Sequence, residues 1–195
     1  SIPLQLVSTP IVANNLILLL SLSLSGFGTY LLALTVLGRY FNKPDENMET
    51  IVADRIVETG VLLAAIVAGL VYAFPACRFV YAALGQANLT STEWIPLYAL
   101  FLIKAFDPED YGDSGGGFPL KQMRRRLPYA VAAGVFFLFS TLTELTYAAF
   151  LGIFTALYLV WAIAMSQNKI RVAIAGIFSL TIDGLTFLIG GAPIL

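Results

Sequence analysis

The feature that most constrains this chain is a series of apolar stretches, each near the length that crosses a lipid bilayer as an α-helix. A spanning helix needs about 20 apolar residues, with a practical range of about 17–25. Such stretches follow one another along nearly the whole sequence. We therefore expect an all-α fold, a polytopic transmembrane helical bundle with about six spans, or alternatively about four or five. It would form a single integral membrane domain over residues 1–195.

The composition agrees with lipid as the solvent. Hydrophobic residues make up 58% of the 195 positions, and charged residues make up only 12%. Soluble chains average about 45–50% apolar and about 25% charged residues. A water-soluble fold of this size could not cover its apolar side chains with so few charges. The sequence therefore predicts a multi-pass protein of a bacterial inner membrane or an organellar membrane, with membrane lipid as a partner.

The same counts exclude several function classes. The formal net charge is −1, so the chain lacks the excess of basic residues that would indicate a nucleic-acid-binding protein. Histidine is absent, which excludes histidine-ligated haem or zinc and Ser-His-Asp catalysis within this chain. Cys77 is the single cysteine, so an intrachain disulfide is impossible. We expect no cofactor, no metal site and no catalytic residues.

Two of the apolar stretches have unusual lengths for single spans. The segment from Trp94 to Phe106 has only about 13 residues, so it is either re-entrant or accommodated by neighbouring helices. The run from Tyr129 to Met165 would be near 55 Å long as one helix, which favours two spans joined by a tight turn near 143–146. The other predicted spans are Ile11 to about Leu37, Gly60 to about Leu84, and Ile170 to about Ile189.

The positions of the basic residues predict which side each connector faces. With six spans, both termini lie outside, and all Lys and Arg residues except Arg78 fall in cytoplasmic connectors, as the positive-inside rule favours. These connectors include an amphipathic segment, 40–58, and a polar basic loop, 107–128. A four-span alternative divides the same residues evenly between the two sides. The residues are Arg39, Lys43, Arg55, Lys104, Lys121, Arg124, Arg125, Arg126, Lys169 and Arg171.

Two groups of residues are candidate contact surfaces. Ser21, Ser25 and Gly28 lie at i, i+4 and i+7 of the first span, a face of small residues that lets another helix approach closely. The cluster Arg124, Arg125 and Arg126 sets the topology or, alternatively, binds anionic lipid headgroups or a cytoplasmic partner.

Three ionisable residues inside or near spans are functional candidates, because charge at membrane depth is costly. Asp183 lies near the middle of the last span, Arg78 lies about 9 Å outward of the middle of its span, and Glu144 lies near the proposed turn. An ion pair of Arg78 with Asp183 or Glu144 would fix the helix order, whereas ion or proton passage is the functional alternative. Glu144 with its neighbouring hydroxyl residues fits a solvent-touching turn or a site for a small hard cation.

Three hypotheses of function follow from these features. The first is a non-enzymatic membrane subunit that assembles with itself or with other membrane chains. The second is a channel or carrier for an ion or small solute that uses Asp183 and Arg78. The third is an intramembrane lipid-modifying enzyme using the acidic residues between Asp107 and Asp113, which lack a recognisable spacing of metal ligands.

Overall fold

A computed structural model gives the fold of the chain. It describes residues 9–41, 51–106 and 120–165, together with residues 169, 173, 174, 176, 177, 180, 181, 184–186 and 188. Throughout this part of the chain the regular backbone is helical and contains no strand, which confirms the all-α prediction. The chain divides into two compact units, residues 1–96 and residues 97–195.

The helices are numbered here in chain order. Unit 1 contains α1 (Pro10–Phe41), α2 (Ile51–Ala73), α3 (Ala76–Ala83) and α4 (Ala87–Thr90), and α5 (Trp94–Ala105) begins in this unit and continues into unit 2. Unit 2 also contains α6 (Leu120–Thr143) and α7 (Leu145–Met165). Between 169 and 188, the described residues of the predicted last span are helical, and its other residues lie outside the described part of the chain.

Helices α1 and α2 pack at a contact between two glycines. A Cβ atom on Gly69 would lie 2.7 Å from the carbonyl oxygen of Gly26, and one on Gly26 would lie 3.2 Å from the carbonyl oxygen of Gly69. Only residues without a side chain permit this approach of two backbones, as in other small-residue contacts between membrane helices. The close contact therefore lies beside the predicted face of Ser21, Ser25 and Gly28, which is itself buried.

The second predicted span is divided by a proline. Helix α2 ends at Ala73 and α3 begins at Ala76, with Pro75 extended between them (φ −72°, ψ 140°). Proline lacks the amide proton that would continue the helix, and its ring clashes with the preceding turn. Helix α3 ends in a Schellman motif, because Gly85 has a φ of 74° and its N–H donates to Ala82 O, while Gln86 N–H donates to Tyr81 O.

In unit 2, the long apolar run folds back on itself. As one straight helix, residues 137 and 155 would lie about 27 Å apart. However, Tyr98 contacts both, with 5.6 Å between its ring centroid and that of Phe137 and 2.5 Å between its hydroxyl and Thr155 Oγ1. The reversal occurs at Glu144, which separates α6 from α7. The predicted division near 143–146 is therefore confirmed.

Helix α5 is the most deeply buried helix of those described. Tyr98, Leu102 and Phe106 at and beyond its middle are each no more than 2% exposed. With 12 residues, the helix is about 18 Å long. The Nη1 of Arg126 donates to Ala105 O at 3.2 Å, so a buried cation satisfies one of the last carbonyls of the helix.

Four helical segments of the described chain are long and apolar enough to cross a membrane: Ile11–Phe41, Arg55–Ala83, Arg126–Thr143 and Leu145–Met165. Helix α5 is apolar but shorter. Helix α2 starts at Ile51 and passes Gly60 without a break, so part of the predicted connector 40–58 belongs to the spanning helix. Similarly, α6 starts at Leu120, inside the predicted loop 107–128.

The glycine contact gives a direct test of the α1–α2 packing. We expect Gly69→Ala to lower the free energy of unfolding by about 1–3 kcal/mol, because the added methyl group meets backbone rather than a side chain that can move. The measurement is unfolding of the purified protein in mixed micelles by titration with sodium dodecyl sulfate. The control is Gly60→Ala, where the added Cβ meets nothing within 4 Å. Equal stability of the two variants would contradict the contact.

Candidate functional site

The arginine at the start of α3 is the centre of a buried polar cluster in unit 1. Arg78 is only 3% exposed, and all three guanidinium nitrogens donate hydrogen bonds. Nε and Nη2 donate to the carbonyl oxygen of Thr90 at 2.9 and 2.6 Å. Nη1 donates to Ser25 Oγ at 2.6 Å and to Ala73 O at 3.4 Å, and Nη2 donates to Ser21 Oγ at 2.8 Å. These oxygens are all formally neutral.

A carboxylate joins this cluster through a serine. The Ser21 hydroxyl accepts from Arg78 and donates to Glu93 Oε2, with 2.5 Å between the two oxygens. Glu93 is 8% exposed and directly precedes α5. A negative charge at that position also complements the positive end of the helix dipole. Ser21 therefore links the buried cation to a buried anion, which lowers the cost of holding either charge away from water.

The cluster also satisfies backbone carbonyls of the segment between α3 and α5. Thr90 O accepts two hydrogen bonds from Arg78, and Thr92 O accepts one from the Tyr72 hydroxyl at 3.2 Å. Irregular backbone exposes carbonyls that have no partner within their own helix. Arg78 and Tyr72 add side-chain donors from α3 and α2 to the two backbone donors of this segment, Thr92 N–H to Thr90 O and Ile95 N–H to Thr92 O. We call Ser21, Ser25, Tyr72, Arg78, Thr90 and Glu93 the Arg78 cluster.

Local features of the sequence bring these residues together. The break at Pro75 separates α3 from α2, and the turn at Gly85 ends α3, so that the segment up to Thr90 returns to Arg78. The close approach at Gly26 and Gly69 keeps α1 near α2. As a result, the two serines one turn apart on α1 both reach the guanidinium.

The other candidate residues lie in different places. Asp183 lies outside the described residues. Glu144 is half-buried at the α6–α7 turn, where its Oε1 accepts a hydrogen bond from Thr146 Oγ1 at 3.3 Å. The side chains of Arg124 and Arg125 are also outside the described part, whereas Arg126 is buried against the end of α5.

Three members of the Arg78 cluster were not predicted. Glu93, Thr90 and Tyr72 do not stand out by composition, and three of the acceptors are backbone carbonyls, which every residue has. One signal in the sequence could have identified Glu93. Arg78 and Glu93 are fifteen residues apart on either side of one short connector, so they lie at the same end of their two segments.

The chemistry of this site is that of a fixed cation surrounded by oxygen acceptors. Within the described residues, no group of three His, Cys, Asp or Glu side chains is placed to hold a metal ion. The acidic residues between Asp107 and Asp113, proposed above for an enzyme, lie outside the described part. No protein-family model, no curated protein and no solved structure matches this chain.

Removing the guanidinium tests how much the Arg78 cluster contributes to the free energy of unfolding. We expect Arg78→Gln to lower the free energy of unfolding by about 3 kcal/mol, because Glu93 then remains buried without its cation and Thr90 O loses the two hydrogen bonds that the guanidinium donates. Arg55→Gln removes an exposed arginine of the same membrane protein and should change stability by less than about 0.5 kcal/mol. Comparable losses in both variants, measured by the same detergent titration, would show that the cluster has no special role.

Proposed function

We propose that this protein is a non-enzymatic, membrane-embedded subunit of a homo- or hetero-oligomeric complex. In this proposal the chain crosses the bilayer six times with both termini outside, the arrangement in which its basic connectors share one side. The observation that supports an assembly role is a groove on the outer surface of the α1–α2 pair. By contrast, the charged side chains of unit 1 that lie inside the protein are engaged with its own oxygens.

The groove has the shape and composition of a helix-packing surface. Its volume is about 530 Å³, and small residues (Ser23, Gly26, Gly69 and Ala73) line it between larger apolar and aromatic side chains. Phe27 and Phe74 at its edges are 56% and 57% exposed. Association in lipid relies on close van der Waals packing, for which small residues beside bulky ones are suited. A transmembrane helix of a second copy or of another chain would fit there.

Site-specific crosslinking tests this proposal. A photo-reactive amino acid at position 23, within the groove, should crosslink to another protein chain in the native membrane. The same amino acid at position 20, on α1 and 63% exposed but outside the groove, should crosslink only to lipid. Native mass spectrometry of the protein in lipid nanodiscs should then show the same partner in a fixed ratio. Lipid adducts alone at both positions, with a monomer in the nanodiscs, would reject the proposal.

A channel or carrier for an ion or small solute is the second candidate. The observation that favours it is the break at Pro75, immediately before the buried Arg78, with the Glu93 carboxylate held in the same cluster. Transporters place charged or polar sites where spanning helices are interrupted. Asp183 remains a candidate for the same path.

Flux through reconstituted vesicles tests this second candidate. We expect Glu93→Gln and Asp183→Asn each to reduce flux of the transported ion by about tenfold or more, since each removes a negative charge from the path. Glu58→Gln, which alters an exposed carboxylate of α2, is the control for a general effect of charge. Wild-type vesicles that pass none of the ions assayed would count against transport, as would equal flux in all variants.

A further inference from the structure

We infer that residues 90–105 form a discontinuous membrane crossing, in which the Arg78 cluster holds the irregular first part inside the bilayer and α5 completes the passage. This inference concerns how one segment crosses, and it holds whether the protein is a subunit or a carrier. It assigns Arg78 and Tyr72 as positioning residues for the segment between α3 and α5.

The depth of the cluster follows from its contacts with α1. Helix α1 has 32 residues and is therefore about 48 Å long, more than the hydrocarbon thickness of about 30 Å. Its cytoplasmic end is marked by Arg39 and the aromatic pair Tyr40 and Phe41, features typical of a membrane interface. A span of about 20 residues that ends at Leu37 places the outer boundary of the hydrocarbon layer near position 17. Ser21 then lies about 6 Å and Ser25 about 12 Å inside that boundary.

The segment after α4 lies at the same depth. Thr90 O shares the guanidinium of Arg78 with both serines, and Glu93 bonds directly to Ser21. Helix α5 starts at the next residue, Trp94. It therefore begins inside the hydrocarbon layer rather than at its surface.

The remaining distance matches the length of α5. Along α1, Leu37 lies about 24 Å from Ser21 and about 18 Å from Ser25. The 12 residues of α5 span about 18 Å, and its last turn carries Lys104, whose long side chain can reach a membrane interface. A helix too short to cross by itself is long enough when it starts at this depth.

Backbone chemistry explains why the irregular part is stable there. Irregular backbone at membrane depth is tolerated only where protein satisfies its polar groups. Arg78 and Tyr72 do this for Thr90 O and Thr92 O. Seven of the twelve residues of α5 are also buried, including Leu102 at 0% exposure, and the other five are half-buried, so most of the helix surface is covered by protein.

Cysteine labelling from the two sides of sealed vesicles tests the crossing. Cys77 is the only cysteine and is exposed, so Cys77→Ser gives a background without thiols. In that background, Gln86→Cys (before the crossing) and Ser114→Cys (after it) should react with a membrane-impermeant maleimide from opposite sides. Reaction of both from one side would overturn the inference, because α5 would then return to the side from which it came.

A second labelling experiment tests the anchoring role of Arg78. In the same background, Thr92→Cys should react slowly, because the cluster holds this part of the backbone in place. Adding Arg78→Gln should raise its rate by about tenfold, which corresponds to about 1.4 kcal/mol of lost protection. Adding Arg55→Gln instead should leave the rate unchanged. If the labelling rate is unchanged in an Arg78→Gln variant that still elutes as folded protein, Arg78 does not hold this segment in place.

Discussion

The hydrogen bonds from the Arg78 guanidinium to the carbonyl oxygen of Thr90 connect three separate parts of unit 1. The same side chain reaches both serines on α1, so one residue joins α1, α3 and the segment that precedes α5. In lipid, neither a free guanidinium nor a free carbonyl is stable, since water is absent to solvate it. Each group therefore constrains the other, and the chain between them adopts the path that allows both to be satisfied.

This polar cluster depends on the apolar packing beside it. The backbone contact between Gly26 and Gly69 brings α1 and α2 within the distance that lets Ser21 and Ser25 reach across to Arg78. A larger residue at either glycine would separate the helices and lengthen those hydrogen bonds. Close packing and hydrogen bonding are the main sources of helix association in a bilayer, and here they act on adjacent turns of α1, with α2 as the packing partner and α3 as the hydrogen-bonding partner.

The sequence predicted the helical class and the reversal of the long apolar run, because the local pattern of apolar residues determines where spans begin, end and turn. It also identified Arg78 as a buried charge that needs partners. The partners themselves could not be found this way. Serine was interpreted as a small packing residue rather than as an acceptor, and a backbone carbonyl such as Thr90 O has no sequence signature. Pro75 is apparent in the sequence, but the position of the helix break beside the Arg78 cluster depends on tertiary contacts.

The order of residues in the Arg78 cluster has a consequence for biosynthesis. Ser21 and Ser25 are translated well before Arg78, whereas Thr90 and Glu93 follow it. When α2 and α3 leave the ribosome, two acceptors of the guanidinium, the Ser21 and Ser25 hydroxyls on α1, have already been made. Integration of α1, α2 and α3 as a group would supply the guanidinium with these two acceptors as it enters the bilayer, which lowers the cost of burying its charge. Thr90 O, which is translated later, then completes the hydrogen bonds of the guanidinium.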